Sequence, residues 1–263
     1  MEQNKKFKLV SSKKTRYLLP NILTLGGLCL GISSIKFSID GNFGLAVTLI
    51  LIAAILDALD GRIARMVKGT SEFGKELDSL TDFVSFGIAP VFTLYFWELL
   101  NYGKLGWAIT LIYSVCCVLR LARFNLTKFN SEEVWKQNYF EGVPSPIGAL
   151  LILSPLILDL TNFNLFLDIN YFVPIYTLVI AVLLISKIPT YSFKKIKIKP
   201  AVTVFILLGI GISLVTLMFF TFETLFIFCL FYILSIPMAC FTFYNNKKLI
   251  HNENSEDEHE DIL

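Results

Sequence analysis

Apolar residues run along the chain in long blocks separated by short polar stretches. The blocks cover residues 18–35, 43–67, 73–97, 105–126, 145–160, 171–189, 200–220 and 223–243. Each is close to the ~20 residues that a helix needs to cross the hydrocarbon of a bilayer. The fifth is the shortest and is flanked by proline. No stretch alternates with the period of two that a half-buried strand requires, and no repeat interrupts the series. The pattern predicts an all-α, polytopic integral membrane protein of about eight transmembrane helices. A basic tail over 1–17 precedes a membrane domain over 18–244, and an acidic tail over 245–263 follows it. That last segment is expected to lack fixed structure, because it is charged and has no apolar period. The first apolar block contains Pro20-Asn21 and no small-residue cleavage site, so it reads as a retained helix.

Composition agrees. The 263 residues are 55% hydrophobic and 17% charged, whereas soluble domains are about a quarter charged. The net charge of +2 gives no electrostatic footprint for nucleic acid. All five cysteines lie in apolar blocks without a CxxC pair, which indicates neither a disulfide framework nor a zinc site. Positive charge sets the orientation. With both termini in the cytoplasm, 21 of the 23 Lys and Arg residues fall on inside segments, and only Lys36 and Lys104 fall outside. Cytoplasmic loops carry this excess, so cytoplasmic N and C termini are expected. The basic run Phe193–Lys199 is expected to meet anionic lipid head groups. Both histidines, His251 and His259, lie near the C-terminus. Chemistry inside the membrane domain must therefore draw on carboxylates, Arg, Lys, hydroxyls or a metal.

One stretch breaks the apolar pattern: DALDGRIARMVKGTSEFGKELDSLTD, residues 57–82. Asp57 and Asp60 are three apart and share a helix face, as do Asp78 and Asp82 at four apart. In an antiparallel hairpin turning near Gly69–Thr70, the four converge at one depth, about 10–15 Å from the cytoplasmic ends at 1.5 Å per residue. Clustered carboxylates repel unless a cation sits among them, and intramembrane acids mark functional sites. Hard oxygen ligands suit Mg2+, Mn2+ or Ca2+ over zinc. Gly61 and Ala64, beside Asp60, leave room for a ligand to approach the backbone. Gly74 either does the same or lets helices pack closely. Arg65 and Ser71 flank the turn, where guanidinium and hydroxyl suit a diphosphate. Arg62, Lys68 and Lys75 read as interfacial charges. A cation transporter would spread its acids through the membrane depth, whereas these lie in one hairpin near one face.

The order Asp57-x-x-Asp60-Gly61-x-x-Ala64-Arg65-(x8)-Gly74-x-x-x-Asp78-x-x-x-Asp82 resembles the signature of the CDP-alcohol phosphatidyltransferase family, with all eight residues at the family spacing. The resemblance implies a Mg2+- or Mn2+-dependent enzyme that moves a phosphatidyl or related group from a CDP-activated lipid to a hydroxyl and releases CMP. It implies metal binding by Asp57, Asp60 and Asp78. Asp82 would join the metal site, act as general base, or do both. Gly61, Ala64, Arg65, Ser71 and Gly74 would line the CDP moiety, although the family often has threonine at the position of Ser71. A homodimer is implied as well.

Four further stretches, LPNILTLGGLCLGISSI, DFVSFGIAP, RLARFN and FEGVPSPIGA, are similar to the bacterial branch of the family that uses serine as acceptor. This likeness covers roughly residues 18–150. It implies CDP-diacylglycerol and L-serine as substrates, a place in phospholipid biosynthesis, and a cell-membrane site facing the cytoplasm. Arg120 and Arg123 share a helix face, and they either receive the serine carboxylate or anchor the helix as interfacial charges. Asn125 either ends the helix or hydrogen-bonds a substrate. Pro144, Ser145 and Pro146 shape a tight helix entry. Asn21 and Thr24 either reach the nucleotide or pack as polar groups. The alternative acceptors are glycerol 3-phosphate, inositol, inositol phosphate and choline. Phosphorylated ones require a denser cationic pocket than Arg120 and Arg123 provide.

Overall fold

The computed structural model describes residues 13–67, 71–127, 139–161, 169–191 and 200–260. The basic run over 193–199, the Gly69–Thr70 turn and Lys68 lie outside the described residues. Helix α1 (Lys13–Ile39) turns through Gly41, at φ +75°, into α2 (Phe43–Met66). Small residues let the neighbours of α1 approach it. A Cβ on Gly27 would lie 3.9 Å from the carbonyl of Ala53, and one on Gly31 would come within 3.0 Å of the Ser85 Cα.

The third apolar block is not one uniform helix. It forms α3 (Glu72–Asp82), a π-helical segment (Phe83–Ile88) and α4 (Ala89–Trp97). Pro90 accounts for the widened turn. It has no N–H for the carbonyl of Phe86, and its ring crowds that oxygen. The fully buried Tyr113 supplies the missing donor, its hydroxyl lying 3.2 Å from Phe86 O. A short 3-10 turn (Leu99–Tyr102) and Gly103, at φ +53°, lead into α5 (Lys104–Thr127).

Strand β1 (Tyr139–Glu141) pairs antiparallel with β2 (Pro189–Tyr191), Phe140 opposite Thr190. This ribbon was not expected from the sequence, because three residues are too few to show an alternation. Between the strands run α6 (Ser145–Asp159) and α7 (Ile169–Ile185); α8 (Pro200–Phe219) and α9 (Thr221–Glu260) follow. Helix α6 is the core of the bundle: Leu151, Ile152, Leu153, Leu156 and Ile157 are fully buried.

Among the described residues, five helical stretches are long and apolar enough to cross a membrane: Leu18–Ile39, Phe43–Met66, Glu72–Trp97, Lys104–Leu126 and Thr221–Phe243. Three shorter apolar helices, Ser145–Asp159, Tyr171–Ile185 and Ile206–Phe219, complete the set. These eight correspond to the eight apolar blocks, and the protein is an all-α, multi-pass membrane protein. Its outer surface is apolar, as lipid contact requires: Leu207, Leu214 and Met218 of α8 and Phe231 of α9 are exposed. Helix α9 continues to Glu260, through most of the segment read as an unstructured acidic tail. No Pro or Gly follows Pro237, and extending a formed helix avoids the cost of nucleation.

Candidate active site

Helices α2 and α3 each present two aspartates. One carboxylate oxygen from each of Asp57, Asp60 and Asp78 lies within 4.8 Å of the others. Asp82 stands beside this trio and lines the same cavity. The hairpin geometry inferred from the spacing therefore brings all four acids together, three as one cluster and Asp82 at its edge. Asp60 is 4% exposed and accepts a hydrogen bond from Thr24 Oγ of α1 at 2.6 Å. The same hydroxyl is 3.0 Å from Pro20 O. It has one proton, and the nearer, charged acceptor takes it.

A small cavity opens onto this group, lined by Thr24, Asp57, Asp60, Asp78, Thr81 and Asp82 among others. The hydroxyl of Thr81 is buried there without a hydrogen-bond partner among the described residues. Carboxylates held this close, with no lysine, histidine or cysteine in the cluster among the described residues, fit a hard divalent cation.

The residues expected around a CDP moiety lie at the open ends of α2 and α3. Arg65 is exposed, and a Cβ on Gly61 would meet nothing nearer than the Arg65 guanidinium at 3.8 Å, so the surface there is open. Ala64 is half-buried. Ser71 caps α3, its Oγ accepting from Gly74 N at 3.0 Å. A Cβ on Gly74 would lie 3.1 Å from Ser71 Oγ and 3.2 Å from Asn21 Oδ1, so Gly74 serves the close approach of α1 to α3.

Arg120 and Arg123 diverge despite their shared face. Arg120 is buried, stacks over Phe124 at 5.8 Å and donates through Nη1 to Ser145 Oγ of α6. That is not the setting of an interfacial anchor. Arg123 donates to Ser186 O at 3.1 Å, at the end of α7. Asn125 donates to Ser79 Oγ at 2.9 Å and so ties α5 to α3, one residue from Asp78. Sequence reasoning missed Thr81, Ser79 and the Thr24–Asp60 bond. The local signal for Thr24 is a hydroxyl in an otherwise apolar block; Ser79 and Thr81, in the polar sequence of α3, carry none.

An eight-residue carboxylate signature on two adjoining membrane helices, closing on a cation-sized cluster, defines a class of phosphotransferase. The pattern of the CDP-alcohol phosphatidyltransferase family matches residues 17–231, and the chain belongs to that family. Its relatives narrow the comparison. The chain is 34% identical over 223 residues to a CDP-diacylglycerol–serine O-phosphatidyltransferase of Mycobacterium leprae, covering 84% of this chain and 74% of that protein. Against the protein of the same name from Helicobacter pylori strain 26695 it is 37% identical over 202 residues, covering 76% and 81%. Against that of Bacillus subtilis it is 33% identical over 177 residues, covering 67% and 92%.

Proposed function

We propose that this protein transfers the phosphatidyl group of CDP-diacylglycerol to the hydroxyl of L-serine, yielding phosphatidylserine and CMP, at the cytoplasmic face of the cell membrane. The observation that carries the reading is the convergence of Asp57, Asp60 and Asp78 within 4.8 Å, with Asp82 lining the same cavity. The names of the relatives support serine as acceptor. The Lys and Arg asymmetry supports the cytoplasmic orientation.

Asp57, Asp60 and Asp78 would hold Mg2+ or Mn2+. Bound there, the ion neutralises diphosphate charge and polarises the phosphorus. Arg65, at the open end of α2, meets the departing CMP. Asp82 accepts the proton of the serine hydroxyl as that oxygen attacks the lipid-side phosphorus. A bond from serine oxygen to phosphorus forms, and the bond from that phosphorus to the CMP oxygen breaks. Arg120 pairs with the serine carboxylate, which holds the hydroxyl next to Asp82.

The test is CMP release from CDP-diacylglycerol with serine, glycerol 3-phosphate and inositol offered in parallel. Serine alone should support turnover; turnover with another acceptor and not serine overturns the assignment. Asp78→Asn should lower serine-dependent release by more than about 100-fold, since even indirect support of a metal ligand is worth about 10–100-fold. Near wild-type release by that variant removes the metal cluster from the mechanism.

A further inference from the structure

The cavity beside the aspartates is lined by three residues that carry hydroxyls: Thr24, Thr81 and Ser85. Two of these hydroxyls are committed. Thr24 donates to Asp60 at 2.6 Å, and Ser85 donates to Gly27 O at 3.2 Å. Thr81 differs. The residue is 7% exposed, and its Oγ1 is buried without a hydrogen-bond partner among the described residues. A threonine inside a helix ordinarily returns its hydroxyl to a carbonyl one turn back. Thr48, Thr93, Thr110 and Thr177 all do so, at 2.8–2.9 Å. Thr81 makes no such bond, and the open space that its side chain borders is the cavity. It follows Asp78 by three positions, so the two share a face of α3.

An unmade buried hydrogen bond costs the full desolvation of the group. A small cavity walled by carboxylates and one uncommitted hydroxyl suits a water, which needs two to four polar partners. The carboxylates can only accept when ionised, whereas a hydroxyl both donates and accepts. A hard divalent ion held by three carboxylates is still short of six ligands, and Mg2+ in particular keeps several waters. One water shared between the ion and Thr81 satisfies both.

We propose that Thr81 is a positioning residue of the metal centre: its hydroxyl holds, inside the cavity, a water of the hydration shell of the ion bound by Asp57, Asp60 and Asp78. The inference rests on the metal reading given above. It adds a neutral group to the four acids, from the turn of α3 between Asp78 and Asp82.

The test uses the full chain in detergent, without either substrate, and Mn2+ as the probe. Affinity is read by electron paramagnetic resonance, and the waters on the bound ion are counted from their deuteron signal in D2O. Thr81→Val removes the hydroxyl and keeps the volume. It should weaken Mn2+ binding by about tenfold, the lower end of what outer-sphere partners of a metal are worth, and should remove the signal of one water. Thr81→Ser should bind as the unsubstituted protein does. Thr81→Ala, which places no methyl group in the cavity, should weaken binding as valine does; a loss confined to valine is crowding and overturns the assignment. A lower affinity with the full water count overturns it too, since a purely structural effect would give that result. Unchanged affinity in Thr81→Val overturns the role of Thr81 and leaves the aspartate cluster standing. Failure of the unsubstituted protein to bind Mn2+ overturns both.

Discussion

Thr24→Val probes whether α1 tunes the carboxylate cluster from outside it. Valine keeps the volume of threonine and removes the hydroxyl that donates to Asp60 Oδ2 at 2.6 Å. Asp60 is 4% exposed, and valine offers it no donor in place of that hydroxyl. A hydrogen bond to a charged group contributes about 1.5–3 kcal/mol, and outer-sphere partners of metal ligands are worth about 10–100-fold in metal affinity. Both routes lead to about 2 kcal/mol, or about 30-fold at 1.4 kcal/mol per decade. The assay is CMP release against Mg2+ concentration. Half-saturation should move about 30-fold higher in Thr24→Val, with turnover at saturating Mg2+ within a few-fold of the unsubstituted protein. Thr24→Ser, which keeps the donor, should titrate close to the unsubstituted protein. A valine variant with unchanged half-saturation and reduced turnover at every Mg2+ concentration refutes the reasoning.

Two further outcomes are expected. Chelation of divalent ions should abolish serine-dependent CMP release, and added Mg2+ or Mn2+ should restore it where Zn2+ does not, because the cluster is all carboxylate oxygen. Gly106→Ala should destabilise the fold without altering KM for serine. Its Cβ would fall 1.8 Å from Leu99 O, and overpacking costs about 1–3 kcal/mol, so the melting temperature in detergent should drop by about 5–10 °C. The position is fourteen residues from Arg120, about 21 Å along α5 at 1.5 Å per residue.

What could be read in advance follows from how far each signal reaches along the chain. The apolar blocks locate the membrane helices because lipid imposes length and composition on each one separately. Asp57, Asp60, Asp78 and Asp82 were legible because their spacing and the hairpin are both local. Thr24 pairs with Asp60 across 36 positions, and Asn125 with Ser79 across 46; nothing local in the sequence chooses those partners. Arg120 and Arg123 share a face by periodicity, yet one reaches α6 and the other the end of α7. That divergence is decided by neighbouring helices. Pro90 does mark the departure from α geometry, but the depth of Tyr113, which satisfies the freed carbonyl, depends on how α5 packs.

The π-helical segment also separates phase from length in the rod that carries two of the four acids. A widened turn inside an α-helix holds one residue more than a regular turn, so it takes up the rotation of about 100° that this residue would otherwise pass on to the flanking helices. Loss of one codon between those for Phe83 and Ile88 would therefore close the turn and leave Asp78 and Asp82 aimed at α2, with the local cost falling on the bond from the Tyr113 hydroxyl to Phe86 O.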